Sequence, residues 1–230
     1  MPERPRPSVL ITGASRGIGR AIALRLAREY DVVAAARSER ALEELAAEIG
    51  EGGGRCATVT LDVANPRAVA EALAGVEVDA LVNDAGVMTQ KRFLDLAPEE
   101  WHAMVDVNLN ALYHVTRAVL PGMVARGRGH VVTIGSTAGR GAFVGGTAYA
   151  ATKHAVMGFS ESLLFEVRDS GVKVSVVMPG SVATGIHPDG QDTSWMMRPE
   201  DVAESVAHVL ATPPGVLVYQ LEVRPLALKR

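Results

Sequence analysis

The stretch Ser8-Val9-Leu10-Ile11-Thr12-Gly13-Ala14-Ser15-Arg16-Gly17-Ile18-Gly19 decides the fold of this chain of 230 residues. Its first five residues form an apolar run typical of a strand, and apolar side chains then recur at helical spacing from Gly17 to Glu29. A glycine-rich loop between a strand and a helix exposes N–H groups at the helix N-terminus, where they can bind the phosphates of a dinucleotide. We expect Gly13 to permit the tight turn, Gly17 to let the backbone approach a pyrophosphate, and Gly19 to allow close packing of helix on sheet. The predicted cofactor contacts in this loop are Gly13, Ser15, Arg16, Gly17, Ile18 and Gly19.

The rest of the chain repeats this alternation of strand and helix. Periodicity predicts strands at 8–12, 31–36, 57–61, 79–83, 129–134, 173–178 and 217–223, and helices at 17–29, 38–49, 66–74, 98–125, 148–169 and 199–210. Seven strands separated by helices predict an α/β fold, a single-domain Rossmann-like doubly wound sheet of seven mostly parallel strands with helices on both faces. We assign residues 1–7 to a flexible N-terminal arm, 8–225 to the dinucleotide-binding and catalytic domain, and 226–230 to a C-terminal tail.

The composition is that of an ordinary globular domain. Hydrophobic residues make up 48% of the chain, and 23 basic against 26 acidic side chains give a net charge of -3. This balance offers no electrostatic reason to expect nucleic acid or an anionic membrane as a partner. Cys56 is the single cysteine, no apolar run is long enough for a membrane span, and the first seven residues lack the apolar core of a signal peptide. We therefore expect a cytoplasmic protein, and we assign no metal site.

The end of the second predicted strand bears on the choice of cofactor. A carboxylate at this place normally receives the ribose hydroxyls of NAD and repels a 2′-phosphate, but here Ala36 is followed by Arg37. Arg37 and Arg16 are suited to clamp a phosphate, so we predict NADP(H) in preference to NAD(H). The alternative is two solvated surface arginines. After the third strand, Asp62 and Val63 are placed to meet the adenine edge; the alternative for Asp62 is that it caps a loop.

A second pattern is Tyr149-Ala150-Ala151-Thr152-Lys153. On a helix, a spacing of four places the phenol of Tyr149 and the ammonium of Lys153 on one face. A tyrosine that moves protons near neutrality needs its pKa lowered by about three units, and a cation about 4 Å away supplies roughly the required free energy. The pair is therefore suited to acid/base chemistry. The alternative is an exposed amphipathic turn.

Several segments in this order resemble the short-chain dehydrogenase/reductase family, of the short single-domain kind. They are the glycine-rich loop, Asn83-Asp84-Ala85-Gly86, Asn108, Ser136, Tyr149, Lys153 and Pro179-Gly180. The resemblance extends from about Val9 to Pro225, and the 13-residue step from Ser136 to Tyr149 together with the N-terminal loop makes it highly specific.

The resemblance implies a role for each matching residue. Tyr149 would be the acid/base, Lys153 would hold the nicotinamide ribose and lower the tyrosine pKa, and Ser136 would hydrogen-bond the substrate oxygen. Asn108 would hold a water that links Lys153 to solvent. The further cofactor contacts implied are Asn83, Ala85, Gly86, Pro179, Gly180, Val182 through its backbone and Thr184 through its hydroxyl. Taken singly, Ser136 could cap, Asn108 could satisfy a helix backbone and Thr184 could close a turn.

Asp84 departs from the family pattern, which usually has a second asparagine at this place. An ionised carboxylate only accepts hydrogen bonds, whereas an amide also donates them. We therefore expect Asp84 to weaken the loop or the binding of the cofactor, and Asp84→Asn tests that expectation.

The substrate pocket is expected between Met88-Thr89-Gln90, residues 139–147 and residues 185–197. These segments offer Met88, Phe143, Val144, Ile186, Trp195 and Met196 as apolar walls, with His187 and Gln90 as polar contacts, unless the same residues only pack the lid. The prediction is an NADP(H)-dependent oxidoreductase that transfers a hydride between nicotinamide and a mainly apolar ketone or secondary alcohol. The alternatives are a nucleotide-binding sensor without turnover and an NAD-preferring dehydrogenase.

Apolar residues on the two longest predicted helices suggest a homodimer or homotetramer. They are Leu109, Leu112, Tyr113, Val115 and Val119 on the first helix, and Met157, Phe159, Leu163, Leu164 and Phe165 on the second. The alternative is that these residues fill the core of one chain.

Overall fold

One parallel sheet organises the protein in a computed structural model that describes residues 6–184 and 192–227. Within these residues the strands are β1 (Ser8–Thr12), β2 (Asp31–Ala36), β3 (Arg55–Thr60), β4 (Ala80–Asn83), β5 (Gly129–Ile134), β6 (Val172–Pro179) and β7 (Gln220–Val223). The helices are α1 (Gly17–Leu26), α2 (Glu39–Glu51), α3 (Pro66–Ala72), α4 (Pro98–Val105), α5 (Ala111–Arg126), α6 (Thr147–Val167) and α7 (Pro199–Leu210). The sheet order is β3-β2-β1-β4-β5-β6-β7, and every pairing is parallel. The predicted fold class is confirmed.

Helices cover both faces of the sheet because the central strands are apolar on both sides. On β1, Val9 and Ile11 pack into a core with α1, α2 and α7, whereas Leu10 packs into a second core with α3, α5 and α6. Strand β1 is therefore buried on both faces, as expected of a strand in a parallel sheet.

The site is positioned by the place where the strand order reverses, between β1 and β4. Loops that leave neighbouring parallel strands in opposite directions open a crevice at their carboxyl ends. Thr12 ties these two ends together, because its Oγ1 accepts the N–H groups of Asp84 and Ala85, each at 3.2 Å. The glycine-rich loop and the Asn83-to-Gly86 segment thus meet at this crevice.

The long helix predicted at 98–125 is not uniform. Helices α4 and α5 are joined by a π-helical segment, Asp106–Asn110, which the 3.6-residue periodicity does not distinguish from an α-helix. A π segment widens the helix, and here it contains Asn108, which bonds to the backbone of Val87 through both amide atoms. The predicted continuous α-helix is therefore wrong at this point.

Two strands begin more than one residue away from their predicted starts. Strand β3 begins at Arg55 rather than Ala57, where Arg55 forms a bidentate pair with Asp31 on β2, at 2.8 and 2.7 Å. Strand β7 begins at Gln220 rather than Leu217, because the preceding residues pair with β6 only through single hydrogen bonds.

The last two residues of the predicted N-terminal arm, Arg6 and Pro7, contact the rest of the domain. Arg6 donates to the carbonyl of Ala27 at 2.7 Å, and the carbonyl of Pro7 accepts the N–H of Asp31 at 2.8 Å. Arg6 is thus bonded to the end of α1, and Pro7 to the start of β2. In the described part of the chain, no helix is both long enough and apolar enough to cross a membrane.

Candidate active site

A cleft of about 1460 Å³ runs along the carboxyl edge of the sheet. Most of the predicted site residues line it: Gly13, Ser15, Arg16, Gly17, Ile18, Arg37, Asp62, Val63, Ala85, Gly86, Ser136, Tyr149, Lys153, Pro179, Gly180, Val182 and Thr184. Gly19, Asn83 and Asn108 lie behind this surface. The side chain of Asn83 is buried and donates to Thr116 Oγ1 at 3.2 Å, so it holds β4 to α5 rather than facing the cleft.

The glycine-rich loop is shaped for close backbone approach. Gly13 has a positive φ of 73°, which L side chains rarely adopt. A Cβ on Gly19 would lie 2.5 Å from the carbonyl oxygen of Gly13 and 2.6 Å from Asp84 Oδ2. Nothing larger than glycine fits there without shifting the loop, so the first turn of α1 is pressed against the loop and the end of β4.

Tyr149 and Lys153 face the cleft from α6. Lys153 is 6% exposed, its Nζ donates to the carbonyl of Ile134 at 3.0 Å, and the same Nζ lies 5.7 Å from the ring centroid of Tyr149. A lysine on an exposed amphipathic turn would be solvated, so that alternative is wrong. The buried ammonium instead places a positive charge beside the phenol.

Ser136 lies just after β5 and lines the same cleft. Its Oγ accepts the N–H of Ala138 at 3.0 Å, so the serine does cap the short turn Thr137–Gly139. A hydroxyl that accepts one hydrogen bond still has its own proton to donate. Capping the turn therefore fixes Ser136 with its O–H available to a ligand oxygen.

Both polar atoms of the Asn108 amide bond to the protein. Oδ1 accepts the N–H of Val87 at 2.8 Å, and Nδ2 donates to the carbonyl of Val87 at 2.9 Å and to Thr152 Oγ1 at 3.1 Å. Thr152 Oγ1 in turn donates to the carbonyl of Tyr149 at 2.8 Å. Asn108 thus braces the helix that carries Tyr149.

The two predicted phosphate ligands lie at one end of the cleft. Arg16 and Arg37 are exposed, and neither forms an ion pair with an acid of residues 6–184 or 192–227. Beside them, Asp62 Oδ1 accepts the N–H of Ala64 at 3.1 Å, so Asp62 caps its loop while also lining the cleft. The two arginines can therefore hold an anion at this end of the cleft, beside Asp62 and Val63.

The segment after β6 lies across the cleft from the glycine-rich loop. Gly180 donates its N–H to the carbonyl of Val223 at 2.8 Å, which places the segment beside β7. A Cβ on Gly17 would lie 3.5 Å from Thr184 Cβ, so Thr184 reaches the glycine-rich loop across the cleft. The segments that follow β1 and β6 thus face each other across the cleft.

Asp84 is an acidic residue whose carboxyl group is enclosed at the inner wall of the cleft. Part of the residue reaches the cleft surface, but its carboxyl group lies inside, where it accepts a hydrogen bond from the N–H of Gly19. Burial raises the pKa of Asp84 from 3.8 to about 7, against the opposing effects of the Lys153 charge and of that hydrogen bond.

Most of the chain matches the profile of a known protein family. The sequence profile described as short chain dehydrogenase matches residues 7–194. The chain belongs to the short-chain dehydrogenase family. It is 36% identical to the NADP-dependent 3-hydroxy acid dehydrogenase YdfG of Salmonella typhi, over 94% of each protein.

Solved structures agree with this assignment. An alcohol dehydrogenase of the archaeon Thermococcus sibiricus, complexed with 5-hydroxy-NADP, superposes with a TM-score of 0.90 at 32% identity, covering 97% of this chain and 98% of the other. The closed form of a serine dehydrogenase complexed with NADP⁺ superposes with a TM-score of 0.85 at 34% identity, covering 94% and 93%. The protein is thus an oxidoreductase of the short-chain dehydrogenase family, as its motifs predict.

The remaining wall of this short-chain dehydrogenase is largely apolar. Met88, Gln90, Phe143, Trp195 and Met196 line the cleft beyond Tyr149, whose ring lies 6.5 Å from that of Phe143. Val144 is 76% exposed and does not line the cleft, so its assignment to the wall was wrong. Its carbonyl instead accepts from Gln90 Nε2 at 3.1 Å. The predicted contacts Ile186 and His187 lie outside the described residues.

Three residues that organise the site were missed from the sequence. Thr12 links β1 to β4, Thr152 links Tyr149 to Asn108, and Ile134 supplies the carbonyl that receives Lys153. Thr152 carried a partial signal, because it is a polar residue between two predicted site residues on one helix, but its burial at 2% exposure is known only from the structure. Thr12 accepts two backbone N–H groups through its hydroxyl and Ile134 offers its carbonyl, and both contacts join segments that only the folded chain brings together.

Proposed function

We propose that this protein is an NADP(H)-dependent oxidoreductase that transfers a hydride between nicotinamide and the carbonyl or secondary alcohol of a mainly apolar small molecule. The observation that carries the proposal is the buried Lys153 ammonium 5.7 Å from the Tyr149 ring, in the cleft that the glycine-rich loop also lines. Burying an ammonium group is energetically unfavourable, and a protein that only binds a nucleotide does not need a buried charge beside a phenol.

The cleft fits a dinucleotide along its length. The glycine-rich loop with the N–H groups at the start of α1 would hold the pyrophosphate, Arg16 and Arg37 would hold a 2′-phosphate, and Pro179, Gly180, Val182 and Thr184 would hold the carboxamide end. Once bound, the nicotinamide supplies or accepts the hydride. The relatives named above for NADP support the same cofactor.

Side chains of this protein, and not the cofactor, transfer the proton to or from the substrate oxygen. In reduction, the Tyr149 hydroxyl donates its proton to the substrate oxygen, and in oxidation the same oxygen takes the alcohol proton. Lys153 stabilises the negative charge left on the phenol. The free O–H of Ser136 donates to the substrate oxygen and fixes its direction.

A screen of NADPH oxidation tests the substrate class. Neutral ketones of graded size should be reduced with the highest kcat/KM, because Met88, Phe143, Trp195 and Met196 remove apolar surface from water. The matching 3-oxo acids form the second arm, since a relative is named for 3-hydroxy acids and Arg224 also lines the cleft. A strong preference for the acids would assign the substrate to that class, and no NADPH oxidation with any compound would contradict the proposal.

We also propose that the protein forms a homodimer or homotetramer through α5 and α6. Leu112, Val115, Val119 and Leu164 are buried in the core, so the prediction that they face a second copy was wrong. Tyr113 and Phe165 remain 48% and 59% exposed on these helices.

Sedimentation at micromolar concentration should give a dimer or a tetramer, and Phe165→Glu should lower the mass because it places a charge in an apolar interface. Leu226→Glu is the matched control, as Leu226 is fully exposed near the C-terminus. A monomeric wild-type protein would exclude the assembly.

A further inference from the structure

Asp84 is a buried acid that the proposed chemistry does not use. Its carboxyl group lies against the Cα of Gly19, where the carbonyl oxygen of Gly13 also converges. Its own N–H donates to Thr12 Oγ1 at 3.2 Å. The carboxyl group therefore sits between the glycine-rich loop, the first turn of α1 and the end of β4, and any change in its hydrogen bonds acts directly on the loop.

The charged state of Asp84 is poorly compensated at this place. The Gly19 N–H is one hydrogen-bond donor to it, and the positive charge that acts on it is Lys153, whose Nζ is already bonded to the carbonyl of Ile134. A protonated carboxyl group, unlike a carboxylate, has an O–H to donate. The Gly13 carbonyl is an acceptor beside it. In its neutral form Asp84 thus offers the same donor-and-acceptor pair as the asparagine that the family usually has here.

A bound pyrophosphate would add negative charge at the same helix N-terminus. The loop residues Gly13, Gly17 and Ile18 line the cleft together with Asp84, so a phosphate held by this loop would lie near Asp84. Two negative charges at one site disfavour each other, and the group that can take up a proton does so.

We infer that Asp84 is a positioning residue that holds the glycine-rich loop as a neutral carboxylic acid, and that binding of NADP(H) draws a proton from solvent onto it. This inference rests on the proposed cofactor. It makes the affinity for the dinucleotide depend on pH in a way that an asparagine would not. A neutral acid at this place would not weaken the loop in the way expected of a carboxylate.

Few other charged or titratable groups face Asp84. Helix α6 contributes Lys153 and Tyr149, and the glycine-rich loop contributes Arg16, which lines the same cleft. On α1, Arg20 is engaged with Glu48 of α2 and directed away. The pKa of about 7 places the titration of Asp84 in a range that binding experiments can reach.

The test measures the dissociation constant of NADPH from about pH 6 to pH 8 for wild type, Asp84→Asn and Asp169→Asn. Wild type should lose up to about ten-fold in affinity over this range relative to Asp84→Asn, because at the higher pH a proton must first be taken up. Asp169, whose side chain is 94% exposed, is the control for removing one carboxylate, and its variant should follow wild type. The same pH dependence in wild type and Asp84→Asn would overturn the inference.

Thermal unfolding without cofactor gives an independent readout. A folded-state pKa above the unfolded value of 3.8 gives stability that is complete below that value and is lost as pH rises through about 7. The melting temperature of wild type should therefore fall relative to that of Asp84→Asn between about pH 5 and pH 8. A constant difference would contradict the raised pKa.

Calorimetry of wild type keeps the inference testable if Asp84→Asn does not fold. Titrating NADPH in two buffers of different ionisation enthalpy should reveal net proton uptake near pH 7 that disappears near pH 5, where Asp84 is already neutral. Tight binding without uptake near pH 7 overturns only the inference about Asp84. Absence of NADPH binding at any pH overturns the proposed cofactor and the inference together.

Discussion

Replacing Tyr149 with phenylalanine should lower kcat for ketone reduction by about 1000-fold, within the range that a positioned acid contributes. The substitution removes one hydroxyl and keeps the ring, so the contact with Phe143 and the position over Lys153 are retained. The substrate oxygen then has no phenol to take a proton from. Steady-state kinetics with a saturating ketone measure the loss, and a fluorescence titration with NADPH should show binding within about two-fold of wild type.

Tyr113→Phe is the matched control for this substitution. It removes the same hydroxyl from a half-exposed tyrosine on α5, away from the cleft. Its kcat should equal that of wild type. If Tyr149→Phe kept wild-type kcat, Tyr149 would not be the acid, and the function of the buried Lys153 would need another explanation.

Replacing Arg16 and Arg37 together with alanine should raise the dissociation constant of NADPH by about 100-fold. Each charge-assisted hydrogen bond to a phosphate contributes about 1.5–3 kcal/mol, and exposure of both arginines reduces the sum. NADH lacks the 2′-phosphate, so its dissociation constant should change by less than about three-fold, and the preference for NADPH should disappear. Titrations with both dinucleotides measure the two effects.

Arg40→Ala serves as the control because Arg40 is an exposed arginine on α2 that pairs with Glu44 and lies outside the cleft. It should leave both dissociation constants unchanged. Equal weakening of NADPH and NADH by the double variant would mean that the arginines do not read the 2′-phosphate, and the NAD-preferring alternative would then be favoured.

The fold and the outline of the site could be predicted because their signals are local in sequence. The loop from Gly13 to Gly19 follows an apolar strand and begins a helix, and the four-residue step from Tyr149 to Lys153 fixes a common face. Regular repetition of strand and helix then leaves few topologies open.

The features that were missed depend on contacts between distant segments. The π segment Asp106–Asn110 follows the same apolar periodicity as an α-helix, and only the bonds of Asn108 to Val87 distinguish it. The outward direction of Val144 depends on how residues 139–147 fold over Gln90. The raised pKa of Asp84 follows from its burial against Gly19, a contact between distant segments that the sequence pattern does not show.

A single-turnover experiment tests the central claim most directly. Protein saturated with NADPH is mixed with a ketone that the screen has identified, and the loss of reduced nicotinamide is followed together with formation of the alcohol. We predict one alcohol for each NADPH oxidised by wild type, and no transfer on the same timescale by Tyr149→Phe carrying the same amount of cofactor. Transfer by that variant at the wild-type rate, or tight NADPH binding by wild type with no transfer to any ketone or 3-oxo acid, would contradict the account.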